Sequence, residues 1–247
     1  MELNADFSQR VAVHTAGLPW VASPMPGVER RMLDRIGDEV ARATSIVRYA
    51  ARSEFSAHTH GGGEEFLVLD GVFQDEHGDF PAGCYIRNPP TSFHTPRSHP
   101  GCTIFVKLWQ FDARDRTHVR IDTSKMPFLP VPGRQDVEVM PLFRDGREYV
   151  YLERWGIGAV VSLDSPSGFE VLVIEGDFRA NGETFERQSW LRLPPGATLN
   201  ARAGAAGARV WIKSGHLSLP QVGPVVSKRG NRAINSGRRQ TRAAKNG

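Results

Sequence analysis

The sequence predicts an all-β protein built from two copies of one unit. Short runs rich in β-branched and aromatic residues, such as FLVLDGVF from Phe66 and REYVYLERW from Arg147, alternate with turn signals such as the glycines at 61–63. Sustained helical periodicity is missing from the sequence. Many short strands separated by turns favour a sandwich or a small barrel of the jelly-roll type.

A constant offset of 105 residues relates two stretches of the chain. The segment Glu65–Gly71, EFLVLDG, corresponds to Glu170–Gly176, EVLVIEG. After a shift of one residue, IFVK ending at Lys107 corresponds to VWIK ending at Lys213. This register predicts a duplicated unit, with one copy near residues 20–125 and the other near 130–218. Further pairs at the offset of 105 are Phe73 and Phe178, Phe80 and Phe185, Arg87 and Arg192, and Pro89–Pro90 and Pro194–Pro195.

The repeat and the charge pattern divide the chain into three segments. We predict a first domain at 1–125, which includes an N-terminal arm, a second domain at 126–218 and a basic disordered tail at 219–247. The tail has seven Lys and Arg residues and no acidic residue, so the overall charge of +4 leaves −3 on the first 218 residues. Nucleic-acid binding is therefore not expected of the two domains, and only weak electrostatic contacts are expected of the tail.

Neither a membrane protein nor a disulfide framework is expected. No apolar run reaches the roughly 18 residues of a membrane span, and the first residues lack the pattern of a signal peptide. We therefore expect a cytoplasmic protein without a membrane partner. Cys84 and Cys102 form no CxxC pair, so two buried thiols are expected rather than a disulfide or a cysteine zinc site.

Three histidines and one glutamate form a pattern typical of a metal site. Alternate residues of a strand point to the same face, so His58 and His60 are expected to project together. The glycines at 61–63 allow a tight reversal that returns Glu64 as an oxygen ligand. His94 follows the turn NPPTSF, which is expected to deliver a third imidazole. The predicted metal ligands are His58, His60, Glu64 and His94.

The same residues resemble the two motifs of the cupin superfamily. HTHGGGEEFLVLDG at 58–71 is similar to the first motif, and GCYIRNPPTSFH at 83–94 is similar to the second. Arg52 and Thr91 stand where these motifs usually have glycine. The longer string over about residues 20–111 resembles the ChrR-type cupin family. The resemblance implies two tandem cupin barrels of the RmlC-like jelly-roll type, a bicupin, with those same four metal ligands.

The internal repeat separates candidate ligands from residues of the fold. Glu65 is a rival carboxylate, but its counterpart Glu170 occurs in the other copy, which favours a structural role. Arg87 could contact an anionic substrate, but its duplication as Arg192 also favours a structural role. The four ligands are not duplicated, so the second barrel is predicted to hold no metal. Their counterparts are Leu163, Ser165, Phe169 and Leu199.

The remaining histidines are expected to be solvated side chains without a role in the site. They occur in polar loops or outside the strand runs of the two units. They are His14, His77, His99, His118 and His216.

The ligand set suits Fe(II), Mn(II), Ni(II), Cu(II) or Zn(II), with one ion expected per chain. An octahedral ion would keep two positions for a small oxygenated substrate and dioxygen, whereas tetrahedral zinc would be closed. A dioxygenase-type enzyme is therefore one hypothesis, with no catalytic residue assigned beyond the ligands.

A ChrR-like sensor of oxidative stress is the alternative. ChrR-type cupins also occur in anti-sigma factors beside a zinc-binding helical domain. Only about 20 residues precede the first unit and they include no cysteine, so a sigma-factor partner is not expected. Homodimer formation is left open.

Overall fold

The computed structural model describes residues 1–218, and the tail at 219–247 lies outside the described residues. Within residues 1–218 the regular structure is antiparallel β-sheet with three single-turn 3-10 helices and no α-helix, so the predicted all-β class is confirmed. None of these helices is long and apolar enough to cross a membrane.

The strands are listed here in chain order. They are β1 (Glu2–Leu3), β2 (Val11–Val13), β3 (Val21–Ala22), β4 (Val28–Gly37), β5 (Ala41–Tyr49), β6 (Ser53–Glu54), β7 (His58–Thr59), β8 (Glu64–Asp75), β9 (Gly78–Pro81), β10 (Cys84–Asn88) and β11 (Phe93–His94). They continue with β12 (Arg97–Ser98), β13 (Cys102–Leu108), β14 (Val119–Asp122), β15 (Leu129–Pro130), β16 (Val137–Arg144), β17 (Tyr149–Trp155), β18 (Val160–Ser165), β19 (Phe169–Ala180), β20 (Glu183–Phe185), β21 (Trp190–Leu193) and β22 (Ala197–Ser214). The 3-10 helices are Thr15–Gly17, Thr123–Lys125 and His216–Ser218.

The first sheet follows the strand order β1-β4-β5-β13-β8-β10-β14. Its central strand β8 alternates between two buried environments, as the two faces of a strand require. Phe66 and Val68 point into the interior of the first barrel, whereas Leu67 and Leu69 point towards the second. The interior core of the first barrel consists of Phe66, Val68, Phe73, Phe80, Cys84, Ile86, Cys102, Ile104 and Val106.

The second sheet follows the order β15-β16-β17-β22-β19-β21-β2. Strand β19 repeats the alternation of β8, because Val171 and Val173 point into the interior and Leu172 and Ile174 point towards the first barrel. Both barrels therefore bury both faces of their central strand. This explains why the EFLVLDG and EVLVIEG segments are nearly continuous apolar runs.

The strand registers confirm that the two halves are copies of one unit. Glu64 lies opposite Asn88 in the first sheet, and Phe169 lies opposite Leu193 in the second. Both partners of the first pair are thus displaced by the same 105 residues in the second pair. A duplicated barrel, which the repeat predicted, accounts for this identity of register.

The edge strand β2 crosses from the first half of the chain to the second sheet. Strand β2 lies in the segment predicted for the first domain, yet it pairs with β21, where Val11 is opposite Arg192. Strand β14 pairs with β10, where Val119 is opposite Arg87. The two edge strands occupy equivalent positions in the two sheets. Strand β2 precedes the β4–β5 hairpin but completes the second sheet, and β14 precedes the β16–β17 hairpin but completes the first sheet. Apart from β2, the strands of the first sheet end at Asp122 and those of the second sheet begin at Leu129.

An apolar layer joins the two barrels. Side chains from both sheets interdigitate there, and all are buried, so the two halves form one continuous packed body. The buried members of this layer are Leu33, Ile46, Leu67, Leu69, Tyr85, Phe105, Met140, Leu142, Val150, Leu152, Leu172, Ile174, Trp190 and Trp211.

Reciprocal ion pairs lie within the same interface. The Lys107 ammonium is 2.6 Å from the Glu170 carboxylate, and the Lys213 ammonium is 2.5 Å from Glu65. Lys213 also contacts Glu148 at 2.9 Å. Each lysine is therefore paired with a glutamate of the other barrel. Although burial alone would raise it, Lys213 and Arg87 together lower the pKa of Glu148 to about 2.

Candidate metal centre

The glycine turn that returns the chain to Glu64 packs beneath two aromatic rings. A Cβ on Gly62 would lie about 2.3 Å from the Trp109 ring, and one on Gly63, whose φ is +78°, would lie 2.5 Å from the Phe111 ring. Side chains at these positions are thus excluded by packing as well as by backbone conformation. The Thr91 amide donates to the carbonyl of His60 at 2.9 Å and links this turn to the second motif.

Three imidazoles converge at the ends of short strands. His58 and His94 lie opposite each other in the β7–β11 ribbon, and His60 follows one residue after β7. The ring centroids of the three histidines are 4.7–5.0 Å apart. One nitrogen of each ring lies within 4.8 Å of the corresponding nitrogens of the other two, which is compatible with a shared metal ion.

Glu64 faces the same point from the first residue of β8. Its Oε2 is 3.4 Å from Nε2 of His60 and 3.6 Å from Nε2 of His94. The structure therefore brings all four predicted ligands together. Glu65, the rival carboxylate, points the opposite way and accepts hydrogen bonds from Tyr85 and Lys213.

The donor atoms fit a divalent metal. The Nε2 atoms of His60 and His94 are buried and have no hydrogen-bond partner among the described residues. A buried nitrogen without a partner is costly, and a metal ion would satisfy both of these atoms. Imidazole nitrogen with carboxylate oxygen is a donor set that suits Fe, Mn, Ni, Cu and Zn.

Hydrogen bonds from outside the ligand set orient the rings. His94 Nδ1 lies 3.2 Å from Oδ2 of Asp75, which is 2% exposed, and a proton on Nδ1 leaves Nε2 free for a metal. His58 Nδ1 lies 3.2 Å from the carbonyl of Ser56, with the same consequence. The Asn88 amide donates to Glu64 Oε2 at 3.4 Å.

Sequence analysis did not identify Asp75 or Asn88, although a signal was present. At the offset of 105, Asp75 corresponds to Ala180 and Asn88 corresponds to Leu193. Both supporting groups are therefore lost in the second copy together with the ligands. The segment DEHGD at 75–79 has the composition of a turn, and this local pattern gives no indication of the contact of Asp75 with His94.

The protonation of the site follows from burial and from these partners. Burial, reinforced by the neighbouring imidazoles, lowers the pKa of His60. Burial also opposes the charged form of His94, but the Asp75 hydrogen bond and Glu64 outweigh it and raise the pKa of His94. The pKa of Asp75 is lowered, because hydrogen bonds from His94 and from the His77 amide outweigh its desolvation.

The equivalent positions of the second barrel are filled by core side chains. Leu163 lies opposite Leu199, as His58 lies opposite His94, and Phe169 occupies the position of Glu64. Phe169 and Leu199 belong to the buried core of that barrel, and Leu163 packs against it. The interior of the second barrel is thus apolar where the first barrel presents its ligands.

The other histidines and the cysteines are distributed as follows. His77, His99 and His118 are exposed. His216 was expected to be solvated, and this is wrong, because it is 7% exposed and contacts the Glu170 carboxylate at 2.9 Å. His14 is half-exposed near Glu183. The predicted burial of two free thiols is confirmed, and burial raises the pKa of both to about 11; they are Cys84 and Cys102.

Two positions depart from the usual glycines of the cupin motifs, and both have a left-handed backbone. Arg52 has φ of 59° and Thr91 has φ of 76°. Such a conformation favours glycine, and a β-branched residue adopts it rarely. The two turns keep the backbone geometry that glycine would allow, so Arg52 and Thr91 have a strained backbone conformation.

The architecture is similar to that of several solved structures. The protein named "putative dioxygenase" from Nostoc punctiforme matches with a TM-score of 0.69 and 14% identity, over 89% of this chain and 87% of that chain. The cupin 2 conserved barrel domain protein of Leptotrichia buccalis matches with a TM-score of 0.57 and 10% identity, over 83% and 95%. The oxalate decarboxylase of Lactobacillus farciminis gives 0.59 and 9%, over 83% and 85%. At these identities the likeness shows the fold. No curated protein sequence matches the chain.

The chain has the two-barrel jelly-roll fold of these cupin structures, with clustered histidines at the ends of strands in the first barrel. Residues 8–112 match the family described as the ChrR cupin-like domain. The matched segment includes the predicted ligands and the strands that position them. The match covers the first barrel and supports there the resemblance that the sequence motifs indicated.

Proposed function

We propose that the protein is a metal-dependent dioxygenase-type enzyme that acts on a small oxygenated organic molecule. In this proposal His58, His60, Glu64 and His94 hold one divalent ion. The observation that carries the proposal is the cavity of about 440 Å³ in front of the ligands, which includes His58, His60 and Glu64 in its lining. A metal centre that faces such a cavity can accept an organic ligand.

A bound divalent ion would supply Lewis-acid chemistry and a site for dioxygen beside the substrate. The residues of the chain have separate tasks around it. Asp75 holds the tautomer of His94, Asn88 orients Glu64, and the cavity wall of Ile104, Val106 and Leu108 excludes water from one side. The negative charge of Glu64 would partly offset the charge of the ion.

Metal content is the first measurement that tests this proposal. Elemental analysis of purified protein is expected to give about one divalent ion per chain, because three of the four equivalent positions in the second barrel are Leu163, Phe169 and Leu199, which have no donor atom for a metal. A His58→Ala, His94→Ala double variant is expected to lose the ion, whereas the matched double variant at the exposed His99 and His118 is expected to keep it. Full occupancy in the first variant would refute the site.

Dioxygen consumption tests the chemistry. The Fe(II)-loaded protein is expected to consume dioxygen with a β-diketone or a hydroxyaryl ketone, and Glu64→Ala is expected to lose most of this activity. Glu54→Ala, which changes an exposed carboxylate outside the cavity, serves as the control. No uptake across a broad panel of such ketones would contradict the enzymatic proposal.

The family match to the ChrR cupin-like domain favours one alternative, a sensory or regulatory role. A sensor would need a metal whose coordination is closed until a signal reaches it. Spectroscopy of the cobalt-substituted protein distinguishes the two roles, because a closed four-coordinate ion would favour the sensor and a five- or six-coordinate ion would favour the enzyme.

A further inference from the structure

The cavity in front of the metal ligands has two arginines in its lining, together with Glu39, which lies near Arg35. Its ligand side includes His58, His60 and Glu64, and apolar side chains form much of the remaining lining. Arg30 and Arg35 of strand β4 also line it. Two guanidinium groups beside a metal site indicate which kind of ligand the cavity would accept.

Arg30 points into the barrel and lacks a counterion. It lies two residues from Val28 and opposite Val47, and all three line the cavity. Its Nε is buried without a hydrogen-bond partner, and within residues 1–218 no carboxylate forms an ion pair with its guanidinium. A partly buried cation without a partner is unfavourable unless a ligand supplies the opposite charge.

The two neighbouring arginines of β4, Arg31 and Arg35, have interactions that Arg30 does not have. Arg35 donates to the backbone carbonyls of Gly37 and Asp38. Burial lowers the pKa of Arg35, and the charge of Arg30 lowers it further, so the two guanidinium groups repel each other. Arg31, on the opposite face of the strand, stacks at 4.4 Å over the Trp20 ring. Arg31 also has a buried Nε without a hydrogen-bond partner, but it lies outside the cavity lining. Of the three arginines, only Arg30 both lines the cavity and has no hydrogen-bond partner for its Nε among residues 1–218.

The second barrel has no equivalent of Arg30. In the first sheet Ile104 lies opposite Val47, which lies opposite Arg30. In the second sheet Val210 lies opposite Glu153, which lies opposite Val139. Ile104 and Val210 are equivalent, because they pair with Val68 and Val173 of the repeat. Arg30 thus differs between the copies, as the metal ligands do. Arg30 is therefore associated with the site and not with the scaffold.

We propose that the ligand of this cavity is an organic anion whose carboxylate pairs with Arg30 while another of its oxygens faces the metal ligands. The planar guanidinium can bind a carboxylate through two parallel hydrogen bonds. The apolar body of the ligand would contact Val47, Ile104 and Val106, which line the same cavity. This inference rests on the proposed function in that it names the substrate class of the same site.

The test compares two ligands that differ only in charge. Succinylacetone, a β-diketone with a terminal carboxylate, and its methyl ester are titrated into the metal-loaded protein by calorimetry. We expect the acid to bind at least about tenfold more tightly than the ester, as one charge-assisted contact in a partly buried site allows. Arg30→Gln is expected to remove the difference, and Arg31→Gln, the matched control on the other face of β4, is expected to keep it.

Two further measurements show whether a variant loses the preference because its metal site or its fold is damaged. The metal content and melting temperature of each variant show whether the site and the fold survive, and Arg30→Lys is expected to recover part of the preference for the acid. Equal affinity for acid and ester, or a preference that persists in Arg30→Gln, overturns the inference even if dioxygen is consumed. A preference that depends on Arg30 supports it even if no dioxygen is consumed, in which case only the enzymatic proposal fails.

Discussion

The first and second barrels share one scaffold, and the charged and ligand-forming residues described above fall into two groups. The duplicated charged residues, Glu65 with Glu170 and Lys107 with Lys213, face the interface between the barrels. The residues that are not duplicated face the interior of the first barrel. They are His58, His60, Glu64, Asp75, Asn88, His94 and Arg30. Among these residues, duplication kept the charged pairs of the interface, and the groups in the interior of the first barrel distinguish a ligand-binding barrel from a supporting one.

The largest expected effect comes from a change to the duplicated ion pairs in the interface between the barrels. Lys213→Met leaves the buried carboxylates of Glu65 and Glu148 without their shared cation, so we expect the free energy of unfolding to fall by about 3–5 kcal/mol. Denaturant unfolding of the metal-free protein measures it. His58→Ala, at an exposed ligand of the unduplicated set, is expected to change the same quantity by less than about 1 kcal/mol. A comparable loss in both variants would break the distinction between interface and interior.

His216, which contacts Glu170 in the interface between the barrels, is expected to make the stability of the protein depend on pH. Burial lowers the pKa of His216 to about 4, whereas an unfolded histidine titrates near 6.5. Below pH 6.5 the unfolded chain binds a proton that the folded chain does not, so stability falls as the pH falls towards 4. At 1.36 kcal/mol per unit this amounts to about 3 kcal/mol.

His216→Gln, which keeps a donor for Glu170, is expected to flatten this dependence. Unfolding curves between pH 7 and pH 4.5 measure the slope, and His99→Gln, an exposed histidine, is the control. An unchanged slope in His216→Gln would show that another group dominates the acid response.

A smaller effect concerns the groups that orient the ligands. Asp75→Asn removes the negative acceptor of His94, and we expect a loss of about 10–100-fold in metal affinity with little change in the fold. Competition with a chelator measures the affinity. Asp79→Asn, an exposed carboxylate of the same hairpin, is expected to leave it unchanged. Equal metal affinity in Asp75→Asn and the unmodified protein would remove Asp75 from the site.

The smallest expected effect is stabilising. Thr91→Gly relieves a left-handed backbone at an exposed β-branched residue, and the gain in the free energy of unfolding should be about 1 kcal/mol after the added entropy of the unfolded chain is subtracted. Thermal unfolding measures this gain. The same change at Thr95, an exposed residue without positive φ, is expected to destabilise the protein.

Much of the fold could be predicted from the sequence. The strand and turn patterns of each copy are visible in short segments, and the two copies stay at nearly the same offset over many residues. The convergence of His58, His60, Glu64 and His94 followed from strand alternation and from the glycine turn. The contact of Asp75 with His94 did not follow, because it joins two turns whose approach depends on the closed barrel. The offset that marked the ligands would have marked Asp75 as well, since Ala180 replaces it.

Other features had no local signal. The packing of Trp109 on the glycine turn and the burial of His216 depend on segments that meet only in the folded chain. The crossing of β2 to the second sheet likewise leaves no trace in a segment of three residues, since Val11–Val13 would suit the edge of either sheet.

If the chain is divided at the loop between β13 and β14, each part supplies an edge strand to the other part's sheet, as in an isologous dimer whose subunits are joined by one polypeptide. Arg114 lies in an exposed loop between β13 and β14, where trypsin could cut. After such a cut, β2 of the first fragment would still pair with β21, and β14 of the second fragment would still pair with β10. Each fragment would supply an edge strand to the other, so the peptide bond at the loop is dispensable for cohesion. The covalent link raises the effective concentration of the halves, and the mutual strands hold them.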